Sequence, residues 1–459
     1  MVHLPDVQER KARGRSIRET VPRSLHAGWL EPESRPDPVT WLRAEETDRV
    51  PHLLGLRYSR MAASAWGFLR GSASLMAADL ATTATSGLRV QACGDAHIGN
   101  FRLLGTPERE LNFDINDFDE TLPAPFEWDL KRLATSAVVA ARQNGFSPDA
   151  CRAAAAGAAR SYRVHMAEYA DEHPLEVWYL GVDSATLEDV LARADIDAEQ
   201  RRLARKRIRK AREKDNLKAF RRLTTTVNGT LQFRNDPPLL YHDRRDSGVV
   251  HHALSSYRST LPHHVRVLFD RCELVDYAVK VVGVGSVGTR CWAVLFDGGD
   301  KRHPLVMQVK QADRSVLEPY AGPAEQDHQG RRVVEGQRLT QAAGDILLGW
   351  TRNPVDGADF YVRQLWDMKG KLDTQLMNER SLALFAELSG WTLARAHARS
   401  GDPAAIHGYL GSGQAFDKAI TAFAVDYADQ TSRDHRRLRE AVRSGELPDE
   451  SVTLSSLPR

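Results

Sequence analysis

The chain has 459 residues, with 63 Lys or Arg against 61 Asp or Glu, 42% hydrophobic and 27% charged residues, and a net charge of +2. That balance describes a globular protein large enough for two or three lobes, and it excludes wholesale disorder and a nucleic-acid coat. Its apolar runs fall short of the ~20 residues that span a bilayer. Residues 1–23 are charged throughout, unlike a secretory leader, and Cys93, Cys151, Cys272 and Cys291 are too scattered for a zinc site or a disulfide frame. The expectation is a cytoplasmic protein with no membrane partner.

Residues 1–50 are polar and punctuated by Pro5, Pro22, Pro32, Pro36 and Pro38, which predicts an irregular arm. From 57 to 81 apolar residues recur at helical spacing, and Arg57, Arg60 and Arg70 ride on that segment. Residues 88–93 read as a short buried strand that delivers GDAHIGN, and 111–115 as a second strand that delivers NDFDE. Helices are expected at 126–144 and 150–169, the latter opened by a capping stretch at Ser147. Residues 199–222 read as a basic helix, with 12 Lys or Arg in the 22 positions from Arg201. A solvated face explains it plainly; an anionic partner such as nucleic acid is the alternative.

After a hairpin expected near Asp236-Pro237-Pro238, residues 275–310 alternate apolar and polar as antiparallel strands do. A helix at 328–343, strands at 345–348 and 360–365, and further helices complete the reading. The predicted organisation is an arm (1–50), a large helical lobe (51–274), a small sheet lobe (275–368) and C-terminal helices that complete the large lobe (369–459).

The chemistry gathers in CGDAHIGNF (93–101) and NFDINDFDE (112–120), which set Asp95, His97, Asn100, Asp114, Asn116, Asp117, Asp119 and Glu120 within 28 positions. Carboxylates this dense repel one another unless a cation or a substrate proton organises them. An Asp that accepts a hydroxyl proton, with an amide five residues on to ligate magnesium, is the working pair of phosphoryl-transfer loops. Asp95 is therefore the candidate base, and Asn100 a candidate catalytic residue and metal ligand. Asp117, 17 residues later, stands where a chelating carboxylate belongs, with Asp119 as the reserve. Taken singly, each of these residues also fits a turn cap.

GVGSVG at 283–288 is a weak signal alone. Strand residues TRCWAVLF follow it, so it reads as a flap between antiparallel strands; a plain tight hairpin is the alternative. Lys310 lies 22 residues past Gly288 and would reach nucleotide phosphates. Glu335 is its expected ion-pair partner, with Glu325 in reserve. His97 is expected to order its loop, and Asp129 to cap a helix.

CGDAHIGNF resembles the HGDLHPGN loop of aminoglycoside phosphotransferases and other atypical kinases, with Cys93 in place of the leading His. NDFDE and PFEWDLKRLA resemble the metal-binding Asp and the later Asp-Leu-Ala stretch of those enzymes. From about 50 to 430 the chain is similar to the bacterial domain-of-unknown-function family 2252, through RYSRMAASAWGFLRG, CGDAHIGNF, NDFDETLPAPFEWDLKRLA, VVGVGSVGTRCW, EGQR and ARAHARSGD. The kinase-like resemblance implies an α+β, two-lobed, protein-kinase-like fold. It makes Asp95 the base and Asn100 and Asp117 the metal ligands. Gly283, Gly285, Ser286 and Gly288 would cover the phosphates, Lys310 and Glu335 would form the ion pair, and ATP and Mg2+ would be the cofactors.

In ordinary kinases the flap and Lys precede the catalytic loop; here they follow it by nearly two hundred residues. Circular permutation is the economical expectation. The expected function is ATP- and Mg-dependent phosphoryl transfer to a hydroxyl of a small molecule or protein. The rivals are AMP transfer from the same site, and a nucleotide-sensing pseudoenzyme or nucleic-acid-binding module.

Overall fold

The computed structural model describes residues 5–451 apart from 214–215, 244–246, 300–303, 366–369 and 371. The helix Phe126–Gln143 is buried from Phe126 to Ala141. It packs against Pro148–Tyr169, Glu379–Ala398 and Ala415–Arg443. Small residues let these helices close up: a Cβ on Gly390 would lie 2.2 Å from the Ala158 carbonyl oxygen. Segments from both halves of the chain thus share one core.

The first 50 residues are not an irregular arm. A helix, Val7–Thr20, starts at a capping box in which Asp6 and Glu9 each accept the other's backbone N–H. It packs on Pro403–Leu410, with Gly14 and Gly408 each against the other helix's backbone. The prolines mark helix boundaries: Pro22 follows the first helix, and Pro38 opens Pro38–Ala44. The helical stretch at 57–81 divides into Leu54–Ala62, Ala65–Gly71 and Ala73–Ala81, with Ser64 capping the second.

A six-stranded antiparallel sheet runs in the order Gly349–Arg352, Asp359–Gln364, Pro304–Gln311, Cys291–Asp297, Glu273–Lys280, Leu240–Tyr241. One of its faces is apolar, the other is apolar over part of its length, and both apolar areas are covered. Trp292, Val294, Met307 and Val309 pack against Ser247–Thr260 and His263–Phe269. Ala293, Leu295 and Val306 pack against Leu223 and Phe233. The sheet region therefore draws in helices expected in the large lobe, and it begins well before 275.

The turn expected near Asp236-Pro237-Pro238 is present as a tight reversal in which Asp236 and Leu240 exchange backbone hydrogen bonds, and a further hairpin turns at Asn228-Gly229, between Thr224–Val227 and Thr230–Phe233. The strand expected at 345–348 is displaced to Gly349–Arg352. The basic stretch falls on two helices, Ala198–Arg212 and Asn216–Leu223, while its residues 214–215 lie outside the described ones. The architecture is mixed α+β, with several small antiparallel sheets. Among the described residues no helix is long and apolar enough to cross a membrane.

Candidate functional site

Alternation along Pro304–Gln311 sends Met307 and Val309 into the helix-covered core and turns Gln308 and Lys310 the other way. They face a cleft of about 1260 Å³. Asp95, Asn100, Asn116, Asp117, Asp119 and Lys310 line it together with Gly283, Gly285 and Ser286 of the glycine-rich turn. Residues nearly two hundred positions apart in sequence thus share one cavity. Gly288 does not line it, and packs instead on Arg49 with φ 93°.

The catalytic-loop candidate leaves the strand Arg89–Ala92, and its geometry is fixed from below. Asp129, buried in the first turn of Phe126–Gln143, accepts the N–H of Cys93 at 2.7 Å and of Gly94 at 3.1 Å. His397 lies 3.3 Å from the same carboxylate. Asp129 is thus a loop anchor, not the helix cap expected. Gly94 has φ 79°, and a Cβ there would lie 2.2 Å from the Glu120 carbonyl oxygen. Only glycine lets the two acidic loops meet at that point. A second tie runs from the Asn116 N–H to the Asn100 carbonyl, at 2.9 Å.

Asp95 accepts a hydrogen bond from Arg132 Nε, and Asn100 Nδ2 donates to the Asp95 carbonyl at 2.8 Å. Burial pushes the Asp95 carboxyl above its ordinary range, against the pull of Arg132. His97 stacks edge-on to Trp66; burial and the nearby Arg70, Arg132 and Arg102 hold it neutral. Burial also raises Asp117, but Lys310, Arg363 and Arg102 outweigh it and leave that carboxyl below its usual range. Among the described residues the buried Asp117 Oδ1 has no hydrogen-bond partner, and neither has the buried Asn116 Oδ1.

Lys310 is buried, and its Nζ donates to Asp119 and, at 2.8 Å, to Ser286 Oγ. Tyr361, beside Lys310 in the sheet, donates its hydroxyl to Asp119 at 2.9 Å. Burial lowers the Lys310 pKa, but Asp119, Tyr361 and Asp117 more than reverse that, and the ammonium stays charged. The expected partner was Glu335. Glu335 instead pairs with Arg331 at 2.6 Å and accepts from Gln326, on the outer face of Gln329–Thr340; Glu325 is exposed.

That helix serves the site through the buried Arg332. Its guanidinium donates to the carbonyls of Thr121, Asp119 and Asp313 at 2.7–2.8 Å. Sequence reading missed Arg332 and Tyr361, since neither belongs to a motif. Asp119, expected as a reserve metal ligand, has both oxygens engaged by Lys310 and Tyr361.

The glycine-rich turn is braced by its carbonyls. Arg49 donates to those of Gly285 and Val287 at 2.8 Å, and Arg60 to that of Gly283 at 2.7 Å. Among the described residues the amides of Gly283, Val284, Gly285 and Ser286 have no protein acceptor. A row of free amides beside a buried ammonium is a setting for an anion. No group of three or more His, Cys, Asp or Glu side chains converges on a metal position among the described residues. Magnesium needs no such cage, because it takes one or two carboxylates and completes its shell with water and phosphate. The orphaned oxygens of Asp117 and Asn116 fit that requirement.

Nothing among curated proteins or solved structures matches this chain. A family model does, over residues 49–441, which takes in both acidic loops, the glycine-rich turn and Lys310. The chain belongs to the family described as "Uncharacterized protein conserved in bacteria (DUF2252)".

Proposed function

We propose that the cleft is the active site of an ATP- and Mg-dependent phosphotransferase with a kinase-like, circularly permuted chain order. The observation that carries this reading is the pairing of a buried Lys310 and a glycine-rich turn with Asp117, whose carboxylate keeps an unbonded buried oxygen in the same cleft. Phosphoryl transfer asks a protein mainly for positioning and charge neutralisation. In this reading Lys310 and the free amides of the turn hold the nucleotide phosphates. Asn100, Asn116 and Asp117 would hold the metal, which when bound neutralises phosphate charge. Asp95, raised by burial and oriented by Arg132, accepts the proton of the acceptor hydroxyl.

The test is incubation with γ-labelled ATP, magnesium and a metabolite extract, comparing the wild-type protein with Asp95→Asn. Label transfer by wild type alone is expected. Equal labelling by both proteins, or by neither, overturns the reading. If the product gains an adenylyl group in place of a phosphoryl group, the chemistry is AMP transfer from the same site.

A further inference from the structure

Two half-buried guanidinium groups in the cleft have few partners among the described residues. Arg70, in the last turn of Ala65–Gly71, lines the cleft with its Nε buried and unbonded. It packs beside the Trp66 ring at 5.9 Å. Asp95 and Asp117 are the acids that act on it most, yet Asp95 is bonded to Arg132 and Asp117 keeps its bare oxygen. Arg102 also lines the cleft and, among the described residues, makes one long hydrogen bond, Nε to the Gly99 carbonyl at 3.3 Å. The charges acting on Arg102 are Asp117, Arg70 and Arg363, so the two arginines repel each other. Arg102 is bonded to Gly99, which packs against Trp66 and His97, Arg70 lies beside the same Trp66, and His97 lies 3.9 Å from Asp95, so both arginines stand near Asp95.

Two half-buried, mutually repelling cations, one of them with a buried donor left unbonded, are stabilised by an anion that joins them. A guanidinium fork matches the planar oxygens of a carboxylate or the face of a phosphate. We propose that Arg70 and Arg102 form a seat for an anionic group carried by the acceptor itself, a phosphate or carboxylate on a hydroxyl compound, whose hydroxyl then faces Asp95. The proposal rests on the phosphotransfer reading of this cleft and narrows the acceptor to anionic alcohols.

The test is calorimetric titration of the full chain, without nucleotide or metal, with sodium phosphate and separately with sodium glycerate; the two arms separate a phosphate seat from a carboxylate seat. Wild type is expected to bind at least one of them. Arg70→Gln and Arg102→Gln should each weaken binding by roughly tenfold or more, the loss of one charge-assisted fork. Lys310→Met should weaken it less than either arginine variant, because Lys310 is already bonded to Asp119 and Ser286. Should the Gln variants not fold, Arg70→Lys and Arg102→Lys keep the charge, lose the fork and carry the same comparison.

No heat from either anion overturns the seat. So does binding that Lys310→Met abolishes and the arginine variants keep, which would place the anion among the nucleotide phosphates. A parallel MgATP titration separates the two proposals. Loss of MgATP binding with an intact seat defeats the phosphotransfer reading alone.

Discussion

On one side of the cleft Lys310 is bonded to Asp119 and Ser286, and Asp119 to Tyr361. On the other, Asp117 and Asn116 each keep a bare oxygen and Arg70 a bare Nε. Both sides are buried and charged, yet one is saturated by the protein and the other is not. A buried polar group left without a partner lowers stability, so it persists where something besides stability retains it. The contrast separates groups that hold the architecture from groups with unused bonding capacity, and mutational effects should divide along the same line.

The largest effect belongs to the most saturated group. Asp129→Ala strips acceptors from the Cys93 and Gly94 amides and leaves both buried. It should cost about 4 kcal/mol, read by urea denaturation. A loss under about 1 kcal/mol would show that the loop is anchored elsewhere. Lys310→Met comes next, at about 3 kcal/mol, because it leaves Asp119 with an uncompensated charge against Tyr361. If Lys310→Met is neutral, the saturated side is not held by this pair and the comparison breaks.

Glu120 sharpens the comparison through pH. Burial, more than its bond from the Val316 N–H can offset, pushes its carboxyl from 4.5 up to about 7. The folded state then binds the proton more tightly than the unfolded state. Stability from this group is full below pH 4.5, falls as pH rises towards 7, and is lost above it. Glu120→Gln should match wild type at pH 4 and exceed it by roughly 1 kcal/mol at pH 8, measured as parallel denaturation curves. The smallest effect is predicted for Arg70→Gln, within about 0.5 kcal/mol of wild type. A cost as large as that of Lys310→Met would mean that Arg70 is satisfied by the protein.

The sequence carried the short-range part of this site well. GDAHIGN, NDFDE and Lys310 each sit on or beside a strand whose alternation or β-branched content is readable locally, and all of them line the cleft. The ion pair was misassigned because helix periodicity does not say which face meets the sheet. Arg332 faces the acidic loop, while Glu335, three positions on, faces Arg331 and solvent. Asp129 looked like a helix cap because its true acceptor role depends on two amides 35 and 36 residues away. The N-terminal helix was hidden by prolines that bound it from outside, and its partner lies near the far end of the sequence.

That last arrangement has a consequence for how the protein is made. About 380 residues separate Val7–Thr20 from Pro403–Leu410. At ribosomal speeds the first helix waits roughly 20 to 80 s before its partner exists. Its contact face carries Gly14, and that of its partner Gly408, so the interface offers backbone shape more than sticky side chains. The Asp6–Glu9 cap keeps the waiting helix wound at its start. Docking of these two helices is therefore a closing step whose timing is set by translation, and a nascent chain stalled short of residue 403 carries its first helix undocked and open to proteases.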